Sequence, residues 1–165
     1  SSGAPGDMFV VRIDDGIEVS SLVKGDPIDH LAIEPRIGGA WIAIRRKGGP
    51  LSWQAVDPVG FLETAAQPLA SPSDDAVIAT THAGNWLVVA WGELYESELR
   101  FVATDGDRTL DLTLPIGFNP PDGQLSILGS PDGRYVLAAW GETQEEGFRR
   151  VRLARLELTP SCQPR

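Results

Sequence analysis

Three aromatic residues, Trp41, Trp86 and Tyr135, recur 45 and 49 residues apart. Each stands eight residues after an isoleucine (Ile33, Ile78, Ile127) and two after a glycine (Gly39, Gly84, Gly133). A period of this length marks one supersecondary unit repeated and stacked, because a single unit of that size cannot bury its apolar face alone. An apolar run follows each aromatic: Trp41-Ile42-Ala43-Ile44, then residues 86–91, then residues 135–140. The second and third runs close on the same tripeptide, Trp91-Gly92-Glu93 and Trp140-Gly141-Glu142. Consecutive apolar residues on a strand point to opposite faces, so these runs predict strands covered on both sides.

Four short strands per unit, A to D, account for the rest of the repeat. Strand A is expected at residues 31–34, 76–80 and 124–128, and strand B is the aromatic-led run. Strand C falls at 51–57 and 99–105, and strand D at 60–65 and 109–114, the last alternating apolar and polar as a half-exposed strand does. Residues 8–13 and 17–23, on either side of Asp14-Asp15-Gly16, match strands C and D, so the chain begins in mid-repeat. Residues 149–158 read as a C strand with no D strand after them. The division predicted is a linker at 1–7, a half unit at 8–24, units at 28–70, 76–116 and 124–158, and a tail at 159–165. Eighteen glycines and 13 prolines break the chain every few residues, and the one stretch of helical composition, 61–66, is stopped by Pro68, so little or no helix is expected.

Composition narrows the class further. A chain of 165 residues supports one packed core or one compact repeat array, and a single soluble unit is expected. The longest unbroken apolar run, 86–91, is far short of the roughly 20 residues that span a bilayer as a helix. With 14 basic against 23 acidic residues the net charge is −9, which repels phosphate backbones and argues against nucleic-acid partners. Cys162 is the lone cysteine, so no intrachain disulfide can form, and His30 and His82 lack the partners that a Cys/His metal site needs. The small, breaker-rich opening Ser1-Ser2-Gly3-Ala4-Pro5-Gly6-Asp7 suits a linker of the kind that follows an export signal or a tag.

Ser130-Pro131-Asp132-Gly133-Arg134-Tyr135-Val136 resembles the turn between strands A and B in WD40-like and TolB-like β-propeller repeats. The turn has a physical logic: Pro fixes one φ, Asp bonds the backbone ahead of it, and Gly supplies positive φ. The resemblance covers most of residues 8–158. It implies an all-β, β-propeller-like stack of four-stranded antiparallel blades, with A innermost, D outermost, and the B-to-C and D-to-A loops on one face. Complete propellers carry four to eight blades; this chain holds about three and a half, so the stack is incomplete in a single chain and leaves two apolar faces open.

Catalytic signatures are weak. No Gly-x-Ser-x-Gly occurs, and Gly129-Ser130-Pro131-Asp132-Gly133 belongs to a repeat turn. Acidic turns at Asp14-Asp15-Gly16, Asp105-Gly106-Asp107 and Asp122-Gly123 lack a full calcium-ligand series, and ordinary turn chemistry explains them better than calcium. Glu93 and Glu142 could be imagined as acid and base, but their equivalent repeat positions favour a shared turn role. The expectation is therefore a non-catalytic interaction module, outside the cytoplasm, without a cofactor. It would complete its blade stack with a second copy or with separately encoded blades, and would bind a protein or glycan. A propeller fragment of a larger hydrolase or peptidase, and a sugar-binding lectin, are the alternatives. The candidate contact residues are Arg45, Arg46 and Lys47 in a positive first B-to-C loop, Glu93 and Glu142 in the acidic second and third loops, and the bordering Trp91 and Trp140. A surface divided in charge in this way would orient a charged partner.

Overall fold

Short turns between consecutive apolar strands favour antiparallel meanders, and the computed structural model consists of them. It describes residues 8–13, 17–23, 27–58, 62–93, 96–116, 124–143 and 149–158, among which there is no helix, and hence none long and apolar enough to cross a membrane. The chain divides into two compact units, Ser1–Ser71 and Pro72–Arg165.

In the first unit, β1 (Met8–Ile13) and β2 (Ile17–Val23) form a two-stranded antiparallel sheet. Sheet I follows, with β3 (Ile28–Arg36), β4 (Gly39–Arg46), β5 (Leu51–Val56) and β6 (Gln67–Ala70) in sequence order. The second unit holds sheet II, made of β7 (Val77–Ala83), β8 (Trp86–Gly92), β9 (Glu98–Thr104) and β10 (Thr109–Pro115). It also holds sheet III, made of β11 (Leu125–Gly129), β12 (Tyr135–Thr143) and β13 (Arg149–Glu157), again in sequence order. All neighbours are antiparallel. Three sheets of three or four strands are thus present, the last having three strands among the described residues.

The fourth strand of sheet I differs from expectation. It is β6, Gln67–Ala70, and not residues 60–65. Of the predicted segment, residues 60 and 61 lie outside the described residues, and Leu62 makes only an isolated bridge to Val56. The Thr64 hydroxyl accepts a hydrogen bond from the Ala55 N–H at 3.0 Å, replacing a ladder bond by a side-chain one. Pro68 does not prevent pairing because β6 is at the sheet edge, where a missing N–H leaves nothing unsatisfied.

The repeat glycines have a common cause. Gly39, Gly84 and Gly133 all have positive φ, at 145°, 55° and 72°, a region that L side chains avoid. In the third turn the Ser130 hydroxyl accepts the N–H groups of Arg134 and Tyr135, each at 3.0 Å, and the Asp132 carboxylate accepts from the Arg134 N–H at 3.2 Å. A side-chain hydrogen bond with Ser130, followed by the Arg134 N–H, holds the Asp132 carboxyl below the usual carboxylate range.

Sheets II and III pack face to face. Val88, Ala90, Leu99, Phe101 and Ala103 of sheet II meet Ile127, Val136, Ala138, Trp140 and Leu156 of sheet III in two adjoining clusters. The C-terminal ends of β7 and β11 converge: Gly84 N–H donates to the Ser130 carbonyl at 3.1 Å, and Gly129 N–H to the Thr81 hydroxyl at 3.2 Å. A Cβ on Gly129 would overlap the His82 carbonyl group. Gly129→Ala should therefore destabilise the second unit by about 3 kcal/mol, at the upper end of overpacking costs, because the obstacle is backbone; a shift in the urea unfolding midpoint measures it, and an unchanged midpoint would refute the close approach.

Candidate functional site

The residues singled out in the sequence are not gathered at one place in either unit. Arg45 and Arg46 lie in β4 rather than in a loop, and only Lys47 enters the turn. Arg45 is buried, with Nε donating to the Asp29 carboxylate at 2.9 Å, so its charge is neutralised within sheet I. Arg46 and Lys47 line a cleft of about 340 Å³ with Ile44, Ser52 and Gln54. Trp91 and Trp140 are each 6% exposed, and Trp140 belongs to the cluster it shares with Ala90 and Phe101. Trp140 still contributes to a cleft of about 440 Å³ with Val77, Ile78, Leu125 and Val151, where β7 and β11 part at their N-terminal ends.

The two Trp-Gly-Glu tripeptides also diverge. In sheet II the strand ends at Gly92, and half-buried Glu93 accepts a long hydrogen bond, 3.4 Å, from the Ser73 N–H. In sheet III the strand continues to Thr143, and Glu142 pairs with Arg150 of β13 as part of the ladder. A shared turn role for the two glutamates does not hold, because one ends a strand and the other extends one. The Glu142 side chain, and residues 144–148 and 122, lie outside the described residues.

One recurrent feature was missed in the sequence. Each repeat aromatic carries a guanidinium over its ring: Arg36 over Trp41 at 4.8 Å, Arg108 over Trp86 at 5.2 Å, and Arg155 over Tyr135 at 4.3 Å. A planar cation stacks on an aromatic face where a lysine would offer only a point charge. Only Lys24 and Lys47 among the 14 basic residues are lysines, and that imbalance was the available signal. Arg36 is also paired with Glu63. Arg108 is held by Asp105: Nε and Nη2 donate to Oδ2, at 3.0 and 2.6 Å, while Oδ1 accepts from the Asp107 and Arg108 N–H groups. Partial burial opposes the charged form of Asp105, but these bonds outweigh it and hold the carboxyl below the ordinary range. Both oxygens of this acidic turn are thereby engaged by the turn itself. Among the described residues no three His, Cys, Asp or Glu side chains cluster as metal ligands would.

Among the described residues, the face of sheet III turned away from sheet II carries exposed aliphatic side chains. Pairing places Leu128, Leu137, Val151 and Leu153 on it, with Tyr135 and Arg155. Register makes the comparison with sheet II direct. Aligning Trp86 with Tyr135 sets Val88 and Ala90 against Leu137 and Ala139, whose β13 partners Arg155 and Leu153 answer to Ala103 and Phe101. Phe101 is 2% exposed and Leu153 79%; Leu99 is 0% exposed and its counterpart Val151 74%. The open face of sheet III therefore occupies the same repeat positions as the sheet II face that seats sheet III. No protein family, curated protein or solved structure matches the chain.

The Arg45–Asp29 pair sits beside half-buried His30, and burial, followed by the Arg45 charge, lowers the His30 pKa below its ordinary 6.5 against a smaller opposing pull from Asp29. The unfolded chain then takes up a proton near pH 6.5 that the folded chain refuses until lower pH, so stability falls as pH drops through this window. Urea unfolding of the wild type at pH 7.5 and 5.5 should show that loss, and His30→Gln should reduce it; an equal loss in the variant would remove His30 as its cause.

Proposed function

We propose that the chain is a non-catalytic interaction module, built of propeller-like blades, whose stack is completed by another protein chain docking on the open face of sheet III. The observation that carries this reading is the pair of values at one repeat position, a buried Phe101 and an exposed Leu153. Four large aliphatic side chains exposed on one continuous sheet face are unusual on a surface that meets only water. A flat sheet face flanked by Tyr135 and Arg155 fits an apolar protein surface, since sheets pack face to face at about 10 Å through interdigitated side chains. Burial of Trp91 and Trp140 favours a protein partner over a glycan, which would call for aromatic rings open to solvent. The charged groups singled out in each unit, Arg46 and Lys47 in the first and Glu93 in the second, would orient a charged partner more than strengthen its binding.

Leu153→Glu tests the reading. On an exposed position it should change the stability of the isolated chain by no more than about 0.5 kcal/mol, while releasing the chain from the complex in which it is isolated from its native source. Size-exclusion chromatography with light scattering reads the release. A native complex that survives the substitution intact would refute docking at this face.

A further inference from the structure

We infer that the outer edge of β13 receives a fourth strand from another polypeptide, an extended segment in which carboxylates alternate with aliphatic side chains. This contact runs through backbone groups at the edge of sheet III and so differs from docking on its open face.

Sheets I and II each have four strands, β6 pairing with β5 and β10 with β9, whereas no described strand pairs with β13 on its far side. β13 is nine residues long, and Arg150, Val151, Arg152, Leu153 and Arg155 are all exposed. In sheet II the fourth strand covers its neighbour laterally. Leu112 stands opposite Phe101 and Leu114 opposite Leu99, and both leucines pack against the cluster that contains those residues. At the matching positions of sheet III, Leu153 is 79% and Val151 74% exposed, against 42% for Leu137 on the central strand of the same face. The aliphatic side chains that a fourth strand would shield are thus the more open ones.

What β13 presents fixes the chemistry of the added strand. It holds four arginines and one glutamate, in a chain whose net charge is −9. Opposite charges directly across a strand pair stabilise it and like charges oppose it, so carboxylates suit the positions facing Arg150 and Arg152. Val151 and Leu153 alternate with these arginines onto the other face. Aliphatic side chains suit the positions facing them and would widen the apolar surface there. In strand addition, main-chain hydrogen bonds supply affinity and alternate side chains supply specificity. The fourth strands of sheets I and II run antiparallel to the third, and the added strand takes the same sense. A second β13 would set arginines against arginines, which excludes it as the occupant.

The probe is the peptide Thr-Glu-Thr-Leu-Glu-Leu-Glu, acetylated and amidated. Paired as β10 pairs with β9, it sets its leucines opposite Leu153 and Val151 and its glutamates opposite Arg155, Arg152 and Arg150. Titrated into the full chain at about 50 mM salt, it should slow hydrogen exchange at β13 amides, and raising the salt to about 0.5 M should weaken binding. Arg152→Glu, at an exposed position, should leave the urea midpoint unchanged and weaken binding by about tenfold or more. A peptide with lysine in place of each glutamate should show the opposite order, binding Arg152→Glu more tightly than the wild type. Absence of binding at about 2 mM peptide, or equal binding of the two peptides by the wild type, would overturn the inference. So would protection confined to residues outside β13. Peptide-induced shifts at Leu128 and Leu137 methyls, with β13 amides unprotected, would remove the edge strand while leaving the open face as a docking surface.

Discussion

The backbone approach between β7 and β11 is the constraint on which the second unit depends. Gly129 has no side chain where the His82 carbonyl needs room, and Gly84 and Gly133 bring two turns together without Cβ atoms between them. Once the first strands converge at this end, the apolar face of sheet III is brought onto sheet II, and the clusters around Val88 and Phe101 follow. Leu158 N–H bonding the Arg134 carbonyl at 2.8 Å ties the end of β13 to the same turn. Hydrogen bonds set the spacing and burial supplies the driving force, on the order of 25 cal/mol per Å² of apolar surface.

Much of this architecture is legible from the repeat. The meander order and the hairpin at residues 8–23 follow from turn residues and apolar alternation, which are local properties. Side-chain burial is not local. β8 and β12 are both apolar on both faces, yet β8 is buried throughout while Leu137 of β12 is exposed, because covering a face depends on what lies beyond it. Equal spacing also hides unequal register. Ile33 pairs with Ile42, Ile78 with Trp91, and Ile127 with Ala138, since the first two A-to-B turns, both two residues long, fall at different distances before the aromatic and the third is longer.

Of the candidate contact residues, identity alone could not reveal their roles. Arg45 reads as a surface charge until Asp29, sixteen residues earlier, is found beside it. Glu93 and Glu142 share a tripeptide but not a structural position. The stacked arginines show the converse: Arg36 comes from an A strand, Arg108 from a C-to-D turn and Arg155 from a C strand, so one interaction is met from three places and leaves no sequence motif.

The last strand has a second property beside its open face. Among the described residues β13 is the edge strand of sheet III, and such an edge invites another strand to extend the sheet without limit. Arg150, Arg152 and Arg155 punctuate it and are exposed. Two β13 edges brought together would face each other with like charges at short range, an encounter that ionic strength governs through screening. Electrostatic repulsion along the edge thus acts as a gatekeeper against runaway sheet growth beside a leucine-bearing surface that stays apolar.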